Sequence, residues 1–239
     1  MPPEALDVSL LDDPQAPILR AFTVLSALRL QWAGVLILNL GLDPRGAAVS
    51  HAANIAGAVC LSLEPDPALL RNALRSGACD FIVNTLDEAL RAIKNEVRKR
   101  RPLSVGLEGN PSTVLDEIVE RGVAPELFTG PVAHPEAAAH FRVLGALILP
   151  FDDPAAISAA GALEEFLSTH PWQLRTFAFT TAAELRAFDA RALTLIPTED
   201  RLRRQWLVSA SRIFPRERHR VLWLTEEEAH TLGSIHEDV

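Results

Sequence analysis

Residues 34–64 read GVLILNLGLDPRGAAVSHAANIAGAVCLSLE. Two short aliphatic runs, GVLILNL (34–40) and AVCLSLE (58–64), flank an alanine-rich stretch long enough for three helical turns. Apolar runs of this length, closed off by turn residues, predict strands buried on both faces, and a helix between two such strands predicts a right-handed βαβ crossover. The first run leads directly into Gly41-Leu42-Asp43-Pro44-Arg45-Gly46. That is the frame G-x-G-x-x-G with its middle glycine replaced by Asp43.

The same alternation continues outward. Strands are expected at DFIVN (80–84), LSVGL (103–107), ELFT (126–129), GALILP (145–150) and VLWL (221–224), with QLRTFAF (173–179) as a strand near a sheet edge. Helical spacing falls at 46–57, 67–76, 86–100, 111–122, 154–168, 181–190, 198–212 and 225–232. Asn84 or Thr85 can cap the third of these, and Thr180 or Thr181 the sixth. The expected fold is therefore a Rossmann-like, doubly wound α/β domain over 18–239, its mainly parallel sheet taking helices on both faces and residues 170–239 forming its C-terminal part. Any ligand crevice should lie beyond the carboxyl ends of the strands. Residues 1–17, with four prolines and several acids, read as an extended arm.

In a dinucleotide loop the first glycine makes the turn, the second admits the pyrophosphate and the third lets helix pack on strand. Gly41 and Gly46 keep the outer two roles. Asp43 stands where the phosphate would come closest, and a carboxylate about 4 Å from a phosphate charge costs on the order of 4 kcal/mol at an effective dielectric near 20. Pro44 removes a backbone N–H, and Arg45 offsets part of the repulsion. A structural turn with an acidic lip is thus favoured over a working cradle. Glu64 ends the second strand 23 residues after Gly41, where a dinucleotide fold sets the acid that holds a ribose; it also reads as a solvated strand end.

The stretches AVCLSLEPDP (58–67), DFIVNTLDEALRAIK (80–94) and LSVGLEGNPSTVLDEIVERGVAPELFT (103–129) resemble the urocanase family, the NAD-dependent hydratases of histidine catabolism. They are similar to its strand ending in Glu-x-Asp-Pro, its S-[VI]-G-L-x-G-N strand and loop, and its R-x-G-x-x-P-[DE] turn. By this resemblance Gly41 to Ala48 corresponds to the family's glycine-rich NAD loop, and Gly106, Gly109 and Asn110 to its strand–loop motif. Thr129 and His134 correspond to its T-D-Q-T-S-A-H-D segment, with Gly130-Pro131 in place of Asp-Gln. The implied cofactor-binding set is Gly41, Arg45, Gly46, Glu64, Gly106, Gly109, Asn110, Thr129 and His134. A weaker resemblance over 177–223 sets Leu222 of Arg220-Val221-Leu222-Trp223 at the position of the family's catalytic cysteine, and leucine offers neither proton nor nucleophile. The resemblance also implies a shortened member, without the family's catalytic aspartate segment or most of its N-terminal region, and the chain holds no tyrosine. The expected protein is a non-catalytic, degenerate relative that binds a small molecule, a nucleotide or a protein partner. An active NAD-dependent relative and a subunit pairing with a full-length homologue, or with itself, are the alternatives.

Composition narrows the classes further. The 239 residues are 48% hydrophobic and 23% charged, ordinary for a globular protein. A net charge of −8 argues against nucleic-acid binding, which depends on neutralising phosphates. The cluster Arg98–Arg101 and a second of Arg201, Arg203 and Arg204 read as cations complementing helix ends. Cys60 and Cys79 form no C-x-x-C pair, so no thiolate metal site is expected and both read as buried, inert side chains. The seven histidines, His134 and His140 included, show no ligand spacing. Glu226-Glu227-Glu228 after Thr225 reads as a capped helix start. No secretory signal and no apolar run of roughly 18 residues is evident, so a cytoplasmic protein without membrane contact is expected. Its excess of arginine over lysine suggests a bacterial source.

Overall fold

The computed structural model describes residues 13–130, 134–150 and 158–233. Most of the expected arm, 1–12, lies outside the described residues, but from Gln15 the chain is helical (α1, Gln15–Leu28). Pro17 is tolerated there because the first turn of a helix has no use for its N–H. The described residues divide into two compact units, one spanning 24–163 and the other combining 13–23 with 164–233.

The first unit is built on β1 (Leu36–Leu40), β2 (Val59–Glu64), β3 (Phe81–Val83), β4 (Leu103–Glu108), β5 (Leu127–Gly130) and β6 (Leu147–Pro150). All pair in parallel, in the order β3-β4-β2-β1-β5-β6. Because β2 and β4 lie on one side of β1 and β5 and β6 on the other, the winding reverses between β1 and β5. That is the switch point where an α/β sheet opens a crevice.

The two faces differ in side-chain size, and this decides which helices cover them. Leu36, Leu38, Leu40, Leu61, Leu63, Val105 and Leu107 project to one face by the two-residue period of a strand. They pack against α4 (Leu86–Lys99), α5 (Pro111–Glu120) and α6 (Pro135–Val143) through Leu90, Ile93, Leu115, Ile118 and Phe141. In β2 and β4 the intervening positions are small: Cys60, Ser62, Ser104 and Gly106. They admit the alanine-rich α2 (Pro44–Ala56) closely enough for Ser104 Oγ to donate to the Ser50 carbonyl at 3.4 Å, with α3 (Pro67–Ser76) beyond. Helix α6 has no counterpart in the sequence reading.

Cys60 and Cys79 are buried thiols that burial pushes up to about 11 and about 12, out of reach of thiolate chemistry. Burial also holds His51 neutral, with its pKa lowered to about 4. The unfolded chain then binds the proton that the folded chain refuses, so stability is expected to fall as pH drops from about 6.5 toward 4. Urea titrations across that window check this, and H51Q should flatten the decline.

The second unit corrects the expectation of one sheet for all strands. Here β7 (Gln173–Ala178) and β8 (His219–Leu224) pair only with each other, antiparallel. They join α8 (Ala182–Leu195), α9 (Arg201–Ile213) and α10 (Glu226–Gly233), and α7 (Ser158–Ser168) precedes them. Thr181 caps α8 and Thr225 caps α10, each with a glutamate returning the bond. Arg204 donates to the Leu193 and Ile196 carbonyls and so closes the end of α8. Arg203 stands at the N-terminal end of its helix, where a cation does not complement the dipole. It is buried in the first turn of α9 between Asp200 and Glu228, at 2.6 Å from each, with its guanidinium over Trp172. No helix among the described residues is long and apolar enough to cross a membrane.

Candidate functional site

Four strand-to-helix loops at the carboxyl edge of the six-stranded sheet enclose a crevice of about 280 Å³. It is open rather than filled by side chains. Asn39, Gly41, Asp43, Arg45 and Gly46 line it from the first loop, Glu64 and Pro65 from the second, Pro111 from the fourth, and Gly130 and His134 from the fifth strand's end.

Gly41 has φ +84°, the left-handed turn conformation that glycine adopts without strain, with open space where a Cβ would go. Gly46 is glycine for a different reason. A Cβ there would stand 2.2 Å from the Gly41 carbonyl oxygen, so the turn closes only because this position has no side chain. Gly41 thus makes the turn, as read, whereas Gly46 serves the closure of the loop on Gly41 rather than the helix-on-strand packing read for it.

The replaced position changes what the loop can offer. Asp43 is the N-cap of α2, and its carboxylate accepts from the Gly46 N–H at 2.8 Å. Glu64 is buried, not a solvated strand end. One of its oxygens accepts from the Leu42 N–H at 2.7 Å and the other from the Asp66 N–H at 2.8 Å, so it stitches the first loop to the second. The Gly41 N–H donates to the Leu63 carbonyl and the Ala47 N–H to the Asp43 carbonyl. Pro44 has no N–H. Along 41–47, four amides thus bond within the fold itself.

A diphosphate is held in such a loop by backbone N–H groups and a helix N-terminus. Here the amides of Gly41, Leu42, Gly46 and Ala47 already bond to carboxylates and carbonyls, and two carboxylates line the space the phosphates would take. The first loop does not fit the pyrophosphate of NAD.

Of the remaining candidates, Gly106 is turned away from the crevice. A Cβ on it would meet Leu70 at 2.8 Å and Cys79 at 3.3 Å, so it is a packing glycine under α3. Gly109 and Asn110 are not among the residues that line the crevice. Asn110 caps α5 through bonds to the Ser112 and Thr113 amides, and the Gly109 amide donates to the Glu64 carbonyl. Thr129 is buried in β5 beside Asn39 of β1.

Asn39 is the residue that sequence reading passed over. Its side-chain N–H₂ donates to the Gly41 carbonyl at 3.0 Å, the Gly46 carbonyl at 3.1 Å and Ser62 Oγ at 3.1 Å, pinning both ends of the loop. Its Oδ1 and the Thr129 hydroxyl are buried without a protein partner. The available signal was a lone amide in an otherwise aliphatic strand.

A parallel sheet wound on both sides of β1, with a crevice at its switch point, defines a Rossmann-like α/β domain. The family model described as the urocanase Rossmann-like domain matches residues 22–146, just over half of the chain, and the chain belongs to the urocanase family. Among solved structures it is similar to one titled "crystal structure of AibC", at 12% identity and a TM-score of 0.33. That alignment covers 62% of this chain and 46% of the other.

Proposed function

We propose that this chain is a non-catalytic member of the urocanase family that works, in the cytoplasm, by binding a small ligand in the crevice at the β1/β5 switch point. The observation that carries the reading is the spent loop. The crevice is open, yet the amides that would cradle the family's dinucleotide bond instead to Asp43, Glu64 and nearby carbonyls. Leu222 supports it from a separate direction. The sequence resemblance sets this residue at the family's cysteine position, outside the matched region, and it is a wholly buried aliphatic side chain in β8. Purified protein assayed with urocanate, with and without NAD, should show no conversion, and measurable hydration of urocanate would overturn the reading.

A second reading, association with another urocanase-family chain, has its own observation. Val143, Leu144 and Leu147 expose large apolar side chains on the α6–β6 corner, and such clusters mark interaction surfaces. Light scattering of the chain, alone and mixed with a full-length homologue, tests it. An unaltered monomer in both runs counts against it.

A further inference from the structure

We infer that the crevice selects a small organic cation bearing N–H donors, of amidinium, guanidinium or primary ammonium type, and turns phosphates away. The inference rests on the crevice being the binding site, as proposed above, and adds the chemistry of its occupant.

The argument is a balance of donors and acceptors. The carbonyls of Gly41 and Gly46 can only accept, so they fix which end of the Asn39 amide is N–H₂. Its Oδ1 is therefore the end left over, a fully buried acceptor with no protein donor in a residue that lines the crevice. Such an atom costs free energy unless a donor reaches it. Glu64 and Asp43 add two carboxylates on the same side. Each Glu64 oxygen has one backbone bond and a second lone-pair site open. Arg45, exposed, and His134 are the basic side chains in the same lining, whereas Glu64 is buried.

The usual source of anion affinity at this edge is also reduced. Helices α2, α3 and α5 each begin with proline, which has no N–H, and each first turn is capped by its own Asp43, Asp66 or Asn110. A volume of about 280 Å³ sits at the low end of small-molecule pockets and suits one compact head group better than a dinucleotide.

The test is a pair of titrations of the full ¹⁵N-labelled chain, at matched ionic strength, with benzamidine and with AMP. Benzamidine should shift the Leu42 and Gly46 amides and the Asn39 side-chain amide saturably, and AMP should leave them in place. The D43N variant keeps the α2 cap, since asparagine caps as well as aspartate, and should weaken benzamidine binding about fivefold, the loss expected of one exposed ion pair. AMP saturating these amides while benzamidine is silent would overturn the inference and leave the crevice standing as a binding site. Silence toward both ligands would overturn the inference and the crevice reading together. Unchanged benzamidine affinity in D43N would overturn the electrostatic part of the inference.

Discussion

Replacing Arg220 with methionine is expected to destabilise the second unit by about 3–5 kcal/mol, the usual cost of orphaning one partner of a buried ion pair. Arg220 is fully buried in β8 and bonds Asp189 of α8 through two parallel N–H donors, each at 2.8 Å. Its third contact reaches the Gln15 side-chain oxygen at 3.2 Å, and Gln15 also donates to the His219 carbonyl at 2.9 Å. Ser211 completes the set with a 2.8 Å bond to the same carboxylate. With the guanidinium gone, Asp189 would remain buried with only a hydroxyl for company. The double variant R220M/D189L removes both charges and should recover most of the loss, because apolar replacement of a whole pair is often neutral. Three of the four tryptophans, Trp172, Trp206 and Trp223, belong to this unit, so fluorescence-detected urea unfolding reads its stability directly. A loss below about 1 kcal/mol would mean that the pair is solvated in solution, as for an exposed ion pair.

The second large effect is expected at Gly46. A G46A chain must move backbone, because the new Cβ would overlap the Gly41 carbonyl at 2.2 Å and no flexible side chain can yield. The expected cost is about 3 kcal/mol, the upper part of the range for overpacking a close contact. Loss of the bonds that Asn39 makes to both glycine carbonyls should accompany it. G41A provides the control. That position is open in space but left-handed, so its penalty is conformational strain alone and should be smaller. Equal losses in the two variants, measured by urea unfolding, would refute the steric account of the third glycine.

Much of this architecture was legible in the sequence because buried parallel strands leave so strong a trace. β1 and β2 are buried at every position, and the apolar runs at 34–40 and 58–64 end within two residues of the observed strands. Caps were legible for the same reason: Thr85 and Thr181 precede their helices with a glutamate three residues on. Pairing was not. The alternation in 173–179 announces a half-exposed strand but says nothing about its neighbour, and β7 pairs antiparallel with β8 instead of joining the parallel sheet. Proline also misled, since Pro17 was read as part of an extended arm yet occupies the first turn of α1.

At the site, residue identity was visible but its hydrogen-bond partner was not. Asp43 was read correctly as an acid on the lip. That it spends the Gly46 amide, and that Glu64 spends the Leu42 amide, depends on loop geometry that spacing does not encode. Gly106 shows the converse, a motif glycine whose space is filled by Leu70 and Cys79 rather than by a ligand.

Calorimetric titration of NAD into the 239-residue chain tests the loop most directly. With the amides of Leu42 and Gly46 already bonded to carboxylates, no saturable heat should develop up to millimolar NAD. One-to-one binding with a micromolar dissociation constant, abolished by G46A, would show that the loop after β1 still receives a diphosphate.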